Sequence, residues 1–213
     1  MCVGDKMIPK RIIYCWFGGK EKPGSVQKCI ESWHKHMPDW EFLEINEDNF
    51  NISSIKYCEQ AYKHKAWGFV SDPVRLWALY TYGGVYFDTD IEVYQSFELL
   101  LDNKFFIGFE QPHYFSTATI GAEQGNPIVK KLLDEYETET FELKKNWWDY
   151  RTSPMIMTDV LSEYVDRDSM VYQKNDKVTI YPKKYFVNHE KLDNEVYCKH
   201  NMFGDWGEGI QCK

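Results

Sequence analysis

No long apolar run occurs in this sequence, and that absence excludes the simplest kind of membrane protein. Across its 213 residues, no segment approaches the roughly 18–20 consecutive apolar residues that a membrane-spanning helix requires. The N-terminal residues carry no apolar stretch of the kind found in a secretory signal. The sequence therefore predicts a protein without a transmembrane segment, and we expect it in the cytoplasm.

Positive charge is in deficit, and the cysteines are scattered. Lysine and arginine number 25 against 33 acidic residues, for a formal net charge of −8. This balance argues against nucleic-acid binding, which requires basic surface to neutralise phosphates. The six cysteines form no CxxC pair, so neither a zinc site nor a thioredoxin-type motif is indicated. Without a signal peptide we expect mostly reduced, partly buried thiols, with a secreted disulfide protein as the minor alternative.

What the sequence does contain is an alternation of strand-like and helix-like segments, with no repeat, low-complexity tract or linker. Hydrophobic residues make up 43% of the chain, which is enough for a sizeable core. Strand patterns occur at 11–16, 40–45, 85–87, 105–109, 117–121, 178–181 and 196–199, and helical patterns at 26–37, 55–64, 69–82, from 126 onward and at 154–164. The alternation predicts a single α/β domain.

The segment 69–82 is nearly all apolar, which predicts a buried helix. Asp72-Pro73 is interpreted as its start, because aspartate caps helices and proline is tolerated in the first turn. The pair Gly83-Gly84 is expected to end it. A short apolar strand should follow directly.

That strand runs into two acids, Asp88 and Asp90, separated by Thr89. In open α/β sheets, ligands bind beyond the carboxyl ends of the strands. Two neighbouring carboxylates repel each other, and a divalent cation such as Mg²⁺ or Mn²⁺ would relieve that repulsion. The alternative is a solvated turn, but the buried helix, glycine pair and apolar strand before it favour a metal site.

The stretches 71–76 and 83–90 together resemble the DxD signature of glycosyltransferase family 32, and 8–19 is similar to the opening strand of that family. Three later segments resemble family segments in the same order: 108–110, 117–122 and 197–206. The resemblance implies a GT-A fold, a Rossmann-like mixed central sheet flanked by helices. It further implies one catalytic domain over 1–213, with a nucleotide-sugar-binding half at 1–110 and an acceptor- and metal-completing half at 111–213.

The same resemblance implies roles for five residues of the first half. Trp16 would stack on the nucleotide base, while Asp72 and Arg75 would hold the ribose and sugar of the donor. Asp88 would contact the ribose and sugar hydroxyls and reach the metal through water, and Asp90 would ligate the metal directly. On sequence alone, Trp16 is equally a core tryptophan. Asp72 and Arg75 are alternatively a helix cap with a surface ion pair.

The C-terminal segment 197–206 departs from the family pattern, in which many relatives carry two adjacent histidines and a Ser-Trp. Here the corresponding residues are His200-Asn201 and Asp205-Trp206. His200, Asn201 and Asp205 are therefore all candidates for the third metal ligand. Trp206 is expected to close over the donor phosphates.

These expectations combine into a metal-dependent retaining glycosyltransferase that uses Mn²⁺ or Mg²⁺ and a nucleotide-sugar donor, with UDP favoured by resemblance. The implied acceptor is a glycan or lipid-linked saccharide in bacterial polysaccharide or capsule biosynthesis, reached in the cytoplasm or peripherally at the inner membrane face. Retention would follow from same-face attack, or from double displacement with Glu110 as nucleophile. Trp147-Trp148 is either an acceptor platform or helix packing. The rival hypotheses are a protein-modifying enzyme like the large glucosylating toxins, and a non-catalytic nucleotide-sugar-binding module.

Overall fold

The computed structural model describes residues 7–146, 149–187 and 194–204. Within them, strands and helices alternate along the chain. The strands are β1 (Arg11–Cys15), β2 (Glu41–Ile45), β3 (Gly84–Phe87), β4 (Ile91–Val93), β5 (Phe105–Gln111), β6 (Tyr114–Ala122), β7 (Gln173–Lys174), β8 (Thr179–Tyr181) and β9 (Cys198–His200). The helices are α1 (Gly24–His36), α2 (Lys56–Lys63), α3 (Trp67–Tyr82), α4 (Pro127–Thr138) and α5 (Ser153–Leu161). The predicted α/β class is confirmed.

Seven strands form one mixed sheet in the order β2-β1-β3-β6-β5-β8-β7. β1 is parallel to both β2 and β3, and β3 is antiparallel to β6. β5 is antiparallel to β6 and parallel to β8, while β7 closes the far edge in antiparallel orientation. A separate two-stranded sheet pairs β4 with β9. The order therefore places β3 where the parallel part of the sheet meets its antiparallel strand.

The sheet is buried on both faces, because successive side chains of a strand point to opposite sides. In β1, Ile12 packs into the cluster that contains Trp33 and Phe87, whereas Ile13 packs into the cluster that contains Val74. All four residues of β3 are buried. Two apolar layers therefore fix the sheet, and its strand ends are left to carry polar residues.

Helix α3 begins at Trp67, so the prediction that it starts at Asp72-Pro73 is wrong. Pro73 lies inside the helix, where it removes one main-chain hydrogen bond. Burial of Phe69 and Val70 extends the apolar surface of the helix by a further turn and outweighs that loss. The predicted end is confirmed: Gly83 has φ of +65° and donates its N–H to the carbonyl of Leu79.

Four cysteines lie in the described residues, and all four are free and buried. Burial raises the pKa of Cys15 to about 12 and that of Cys29 to about 11. Those thiols are therefore protonated at neutral pH, in agreement with the expectation of reduced thiols. None of the helices within the described ranges has the length and apolar character needed to cross a membrane.

Candidate active site

The two acids of the DxD sequence occupy a tight turn between β3 and β4. The main-chain N–H of Asp88 donates to the carbonyl of Ala118 at 2.8 Å, and the N–H of Ile91 donates to the carbonyl of Asp88 at 3.0 Å. β1 runs parallel to β3 with Ile13 opposite Tyr86. The residues that follow β1, beginning with Trp16, therefore lie beside the acidic turn at the same edge of the sheet.

Arg75 connects helix α3 to this turn. Its Nη2 lies 2.9 Å from Oδ1 of Asp72, and its Nη1 donates to the carbonyl of Thr117 at 2.8 Å and lies 3.3 Å from Oδ1 of Asp88. The predicted pair at i and i+3 is thus brought together, with Arg75 only 3% and Asp72 only 5% exposed. This burial excludes a surface ion pair, and the start of α3 at Trp67 excludes Asp72 as the helix cap.

Tyr86 completes the support of Asp88. The guanidinium of Arg75 lies 4.8 Å from the centre of the Tyr86 ring, a cation–π contact. The Tyr86 hydroxyl donates to Oδ1 of Asp88 at 2.8 Å. Sequence reasoning did not single out Tyr86, although a signal was available. Residues two apart on a strand share a face, so Tyr86 had to lie on the same side as Asp88.

Burial raises the pKa of Asp72 to about 7, an effect that the positive charge of Arg75 opposes and the charge of Asp88 reinforces. Burial alone would lower the pKa of Arg75, but the negative charges of Asp88 and Asp72 outweigh it and raise that pKa. Arg75 therefore stays charged, and its charge is what makes a carboxylate at position 72 tolerable inside the protein.

Asp88, Asp90 and His200 form a cluster in which one ligand atom from each residue lies within 4.8 Å of the others. His200 comes from β9, where it pairs with Ile91, and its Nε2 lies 3.3 Å from Oδ1 of Asp90. Two carboxylates and an imidazole suit Mn²⁺ and related divalent ions. Within the described chain, the buried Nδ1 of His200 has no hydrogen-bond partner. The donor set therefore fits the metal that the sequence predicted.

The protonation of this cluster favours an Asp90–His200 ion pair. Burial works against it, but the hydrogen bond and charge of His200 lower the pKa of Asp90. Burial likewise opposes protonation of His200, yet the hydrogen bond and charge of Asp90 raise its pKa. Each of the two side chains therefore favours the charged form of the other.

The segment after β9 wraps around Asp90. Asn201 donates from both its main-chain nitrogen and its Nδ2 to the carbonyl oxygen of Asp90, each at 3.1 Å. The N–H of Phe203 donates to Oδ2 of Asp90 at 3.1 Å. Asn201 therefore binds the backbone of Asp90 and stabilises the turn. The remaining residues predicted for this segment, Asp205 and Trp206, lie outside the described residues, as do Trp147 and Trp148.

Trp16 borders a cavity of about 460 Å³ that is lined mainly by the loops that follow β1 and β2. Its indole is half-buried, its Nε1 donates to the carbonyl of Lys20 at 2.7 Å, and Nζ of Lys22 lies 5.5 Å from its ring centre. The alternative of a fully buried core tryptophan is therefore excluded. A flat aromatic face at a cavity of this size is suited to a ring-shaped ligand.

Glu110 lies at the carboxyl end of β5, on the same edge of the sheet as Asp88. It is half-buried and accepts a hydrogen bond from Ser116. Burial raises its pKa, with the charge of Asp88 adding to the effect and that of His200 opposing it. The carboxylate that the sequence offered as a nucleophile is thus within electrostatic range of the metal cluster.

Comparison with protein families gives a match over residues 23–107, to the family described as "Glycosyltransferase sugar-binding region containing DXD motif". The matched region contains Asp72, Arg75, Asp88 and Asp90. Comparison with curated protein sequences gives no match.

Several solved structures share the fold. The structure titled "PaToxG Glycosyltransferase" superposes with a TM-score of 0.57 at 19% identity, over 75% of this chain and 70% of that one. A glycosyltransferase involved in the glycosylation of the major capsid of PBCV-1 gives 0.51 at 11% identity, over 91% of this chain and 94% of that one. The apo-form glycosyltransferase GlyE of Streptococcus pneumoniae TIGR4 gives 0.50 at 10% identity, over 83% of this chain and 46% of that one.

The fold is therefore the GT-A fold of glycosyltransferases, with the mixed central sheet flanked by helices that the sequence predicted. Residues 23–107 match the model of DXD-containing sugar-binding regions of glycosyltransferases, and the described chain shares its fold with glycosyltransferases. This match confirms the resemblance seen in the stretches 71–76 and 83–90.

Proposed function

We propose that this protein is a metal-dependent, retaining glycosyltransferase that moves a sugar from a nucleotide-sugar, with UDP favoured as the nucleotide, to a glycan or lipid-linked saccharide. The observation that carries the proposal is the cluster of Asp88, Asp90 and His200 beside the Arg75–Asp72 pair. Residues 1–110 would bind the donor, and residues 111–213 would complete the metal and acceptor sites, since His200 comes from the second half.

Asp88, Asp90 and His200 would hold a divalent cation, which would supply positive charge to balance the phosphates of the nucleoside diphosphate. The chain's own contribution is orientation. Arg75 and Tyr86 both bind Oδ1 of Asp88 and so leave its other oxygen for a ligand. Asp72 binds Arg75 and keeps the guanidinium in place; its deep burial favours this role over direct contact with the ribose.

For retention we propose transfer on one face of the sugar. The bond from the anomeric carbon to the phosphate oxygen breaks, the acceptor oxygen bonds to that carbon on the same face, and the leaving phosphate takes the proton of the acceptor hydroxyl. Glu110 is the nucleophile of the alternative route by double displacement. Glu110→Gln separates the two routes, because loss of a true nucleophile reduces kcat by several orders of magnitude. A loss of that size would support double displacement instead.

The first test is release of nucleotide from a panel of UDP- and GDP-sugars, with Mn²⁺, with Mg²⁺ and with EDTA. We expect metal-dependent release from one donor, abolished by Asp90→Asn. The matched control is Asp39→Asn. Asp39 is a surface acid that pairs with Lys10, and it lies just before β2, at the edge of the sheet opposite to the acidic turn. Equal release from Asp90→Asn and the wild type would contradict the metal site. Binding of a donor with no turnover would support the non-catalytic alternative.

The acceptor class is tested by supplying the labelled donor to a cell lysate and separating glycan, lipid and protein fractions. Label in glycan or lipid supports the proposal and the expected place at the cytoplasmic face of a membrane. Label on protein would favour the protein-modifying alternative. Cell fractionation tests the location independently, and recovery outside the cytoplasmic and membrane fractions would contradict it.

A further inference from the structure

The loop that carries Trp16 is held by contacts that the proposed catalytic set leaves unexplained. It runs from Trp16 to Lys20 and lines the 460 Å³ cavity together with Glu44 near the end of β2 and residues 46–48 after that strand. The loop contains Gly18 and Gly19, both with positive φ, at +92° and +64°. Two such glycines give the free chain many conformations. Other contacts must therefore stabilise the loop conformation in which Trp16 borders the cavity.

Glu47 provides the selecting contact. Its Oε1 accepts a hydrogen bond from the main-chain N–H of Gly18 at 2.7 Å and another from the hydroxyl of Tyr62 at 3.0 Å. One carboxylate oxygen thus joins three segments that are distant in sequence: the loop after β1, the loop after β2 and helix α2. Hydrogen bonds to an ionised acceptor are the stronger kind.

Trp67 limits the loop from another side. A Cβ added to Gly18 would lie 2.7 Å from the Trp67 indole, so no side chain fits at this position. Trp67 itself packs edge-on against Tyr62, with ring centres 5.0 Å apart. Gly18 is therefore confined between the indole and the carboxylate of Glu47.

We propose that Glu47 is a positioning residue for the donor: it holds the Trp16 loop in the shape that receives the nucleotide, without touching the reacting atoms. This inference rests on the proposed function. Without the carboxylate, the Gly18 N–H loses its acceptor and the two-glycine loop is released before binding. Ordering it again then costs affinity for the nucleotide. Neither hydrogen bond of Glu47 involves Asp88 or Asp90, so the chemical step should be preserved.

The test compares the wild type with Glu47→Ala, Glu47→Gln and Tyr62→Phe. The matched control is Glu59→Ala, which removes a surface carboxylate of α2 that pairs with Lys63. Binding of UDP and of GDP is measured by calorimetry in the presence of Mn²⁺. KM and kcat are measured for hydrolysis of the corresponding UDP- and GDP-sugars.

For Glu47→Ala we expect Kd and KM to rise about tenfold, the loss that one charge-assisted hydrogen bond carries, while kcat stays within about twofold. Glu47→Gln keeps an acceptor for Gly18, so it should restore most of the affinity, with Tyr62→Phe intermediate. If Glu47→Ala bound nucleotide with wild-type affinity, the positioning role of Glu47 would be overturned while the proposed function would stand. A fall in kcat with unchanged KM, or a failure of glutamine to restore binding, would have the same consequence. If the wild type bound neither UDP nor GDP, both the proposed function and the positioning role of Glu47 would be overturned.

Discussion

Replacing Arg75 by methionine tests whether the buried ion pair beside the acidic turn determines stability. The substitution removes the 2.9 Å contact with Asp72 and the 2.8 Å hydrogen bond to the carbonyl of Thr117. Asp72 is only 5% exposed, so without its partner it must either carry an unpaired charge inside the protein or take up a proton. Breaking a buried pair from one side costs about 3–5 kcal/mol. At about 2–4 °C per kcal/mol for a domain of this size, Tm should fall by about 6–20 °C.

Adding Asp72→Asn to Arg75→Met should recover at least about half of that loss, because asparagine has no charge to bury or to neutralise and keeps the shape of the side chain. The asparagine can still hydrogen-bond with Ser153, as Asp72 does. Activity should not recover, since Asp88 still lacks its contact with Arg75. Stability and activity would thus separate in the double variant.

The single variant should also respond to pH. In the folded protein, burial raises the pKa of Asp72 already with Arg75 present, and the charge of Asp88 adds to that effect. Above the unfolded pKa of about 3.9, the folded state then binds more protons than the unfolded one. Its unfolding free energy must therefore fall as pH rises from 5 to 8, by at most about 1.4 kcal/mol per unit.

Denaturant unfolding of Arg75→Met and of the double variant at several pH values measures this effect, since the two proteins differ only at position 72. The reasoning is refuted if Arg75→Met loses less than about 1 kcal/mol, or if the double variant is less stable than the single one. A pH dependence shared equally by both variants would contradict the role assigned to Asp72.

Three further predictions test the metal cluster, the sheet and its link to α1. His200→Ala should raise the Mn²⁺ concentration for half-maximal donor hydrolysis by about tenfold or more, measured by metal titration. Gly121→Ala should cost about 1–3 kcal/mol in denaturant unfolding, because its Cβ would lie 2.0 Å from the ring of Phe106; unchanged stability would contradict that close approach. Trp33→Phe should cost about 1–3 kcal/mol by the same assay, since it leaves the buried carbonyl of Ile91 without its 2.7 Å donor.

The sequence was most informative where several local signals coincide. The glycine pair, the buried strand and the acids of 83–90 all lie within one turn and one strand, so their structure follows from short-range preferences. Gly83 ends α3 as predicted because its φ is positive, a conformation that other residues rarely adopt. Asp72 and Arg75 were paired by the family resemblance, and their spacing of i and i+3 agrees with it because such residues share one face of a helix. Their burial, however, depends on β6 and could not be read from that spacing.

The sequence was least informative where the contact is long-range. His200 meets Asp90 only because β9 pairs with β4, and no local pattern near position 200 indicates that pairing. The start of α3 was misplaced for a related reason. Local preference favours Pro73 in the first turn, but the packing of residues 69 and 70 decides where the helix begins. Glu47 was missed because its partners, Gly18 and Tyr62, come from two other segments.

Strand direction explains why the candidate site nevertheless forms at one edge. β2, β1 and β3 are parallel to one another, β6 is antiparallel to β3, and β5, being antiparallel to β6, regains the direction of β3. The carboxyl ends of these strands therefore meet at one edge, which brings Glu47, Trp16, Asp88 and Glu110 to the same side. The antiparallel β6 starts near this edge, so the carbonyl of Thr117 can accept a hydrogen bond from Arg75. The topology thus lets apolar residues on both faces fix the sheet while the polar strand ends remain free to bind a ligand.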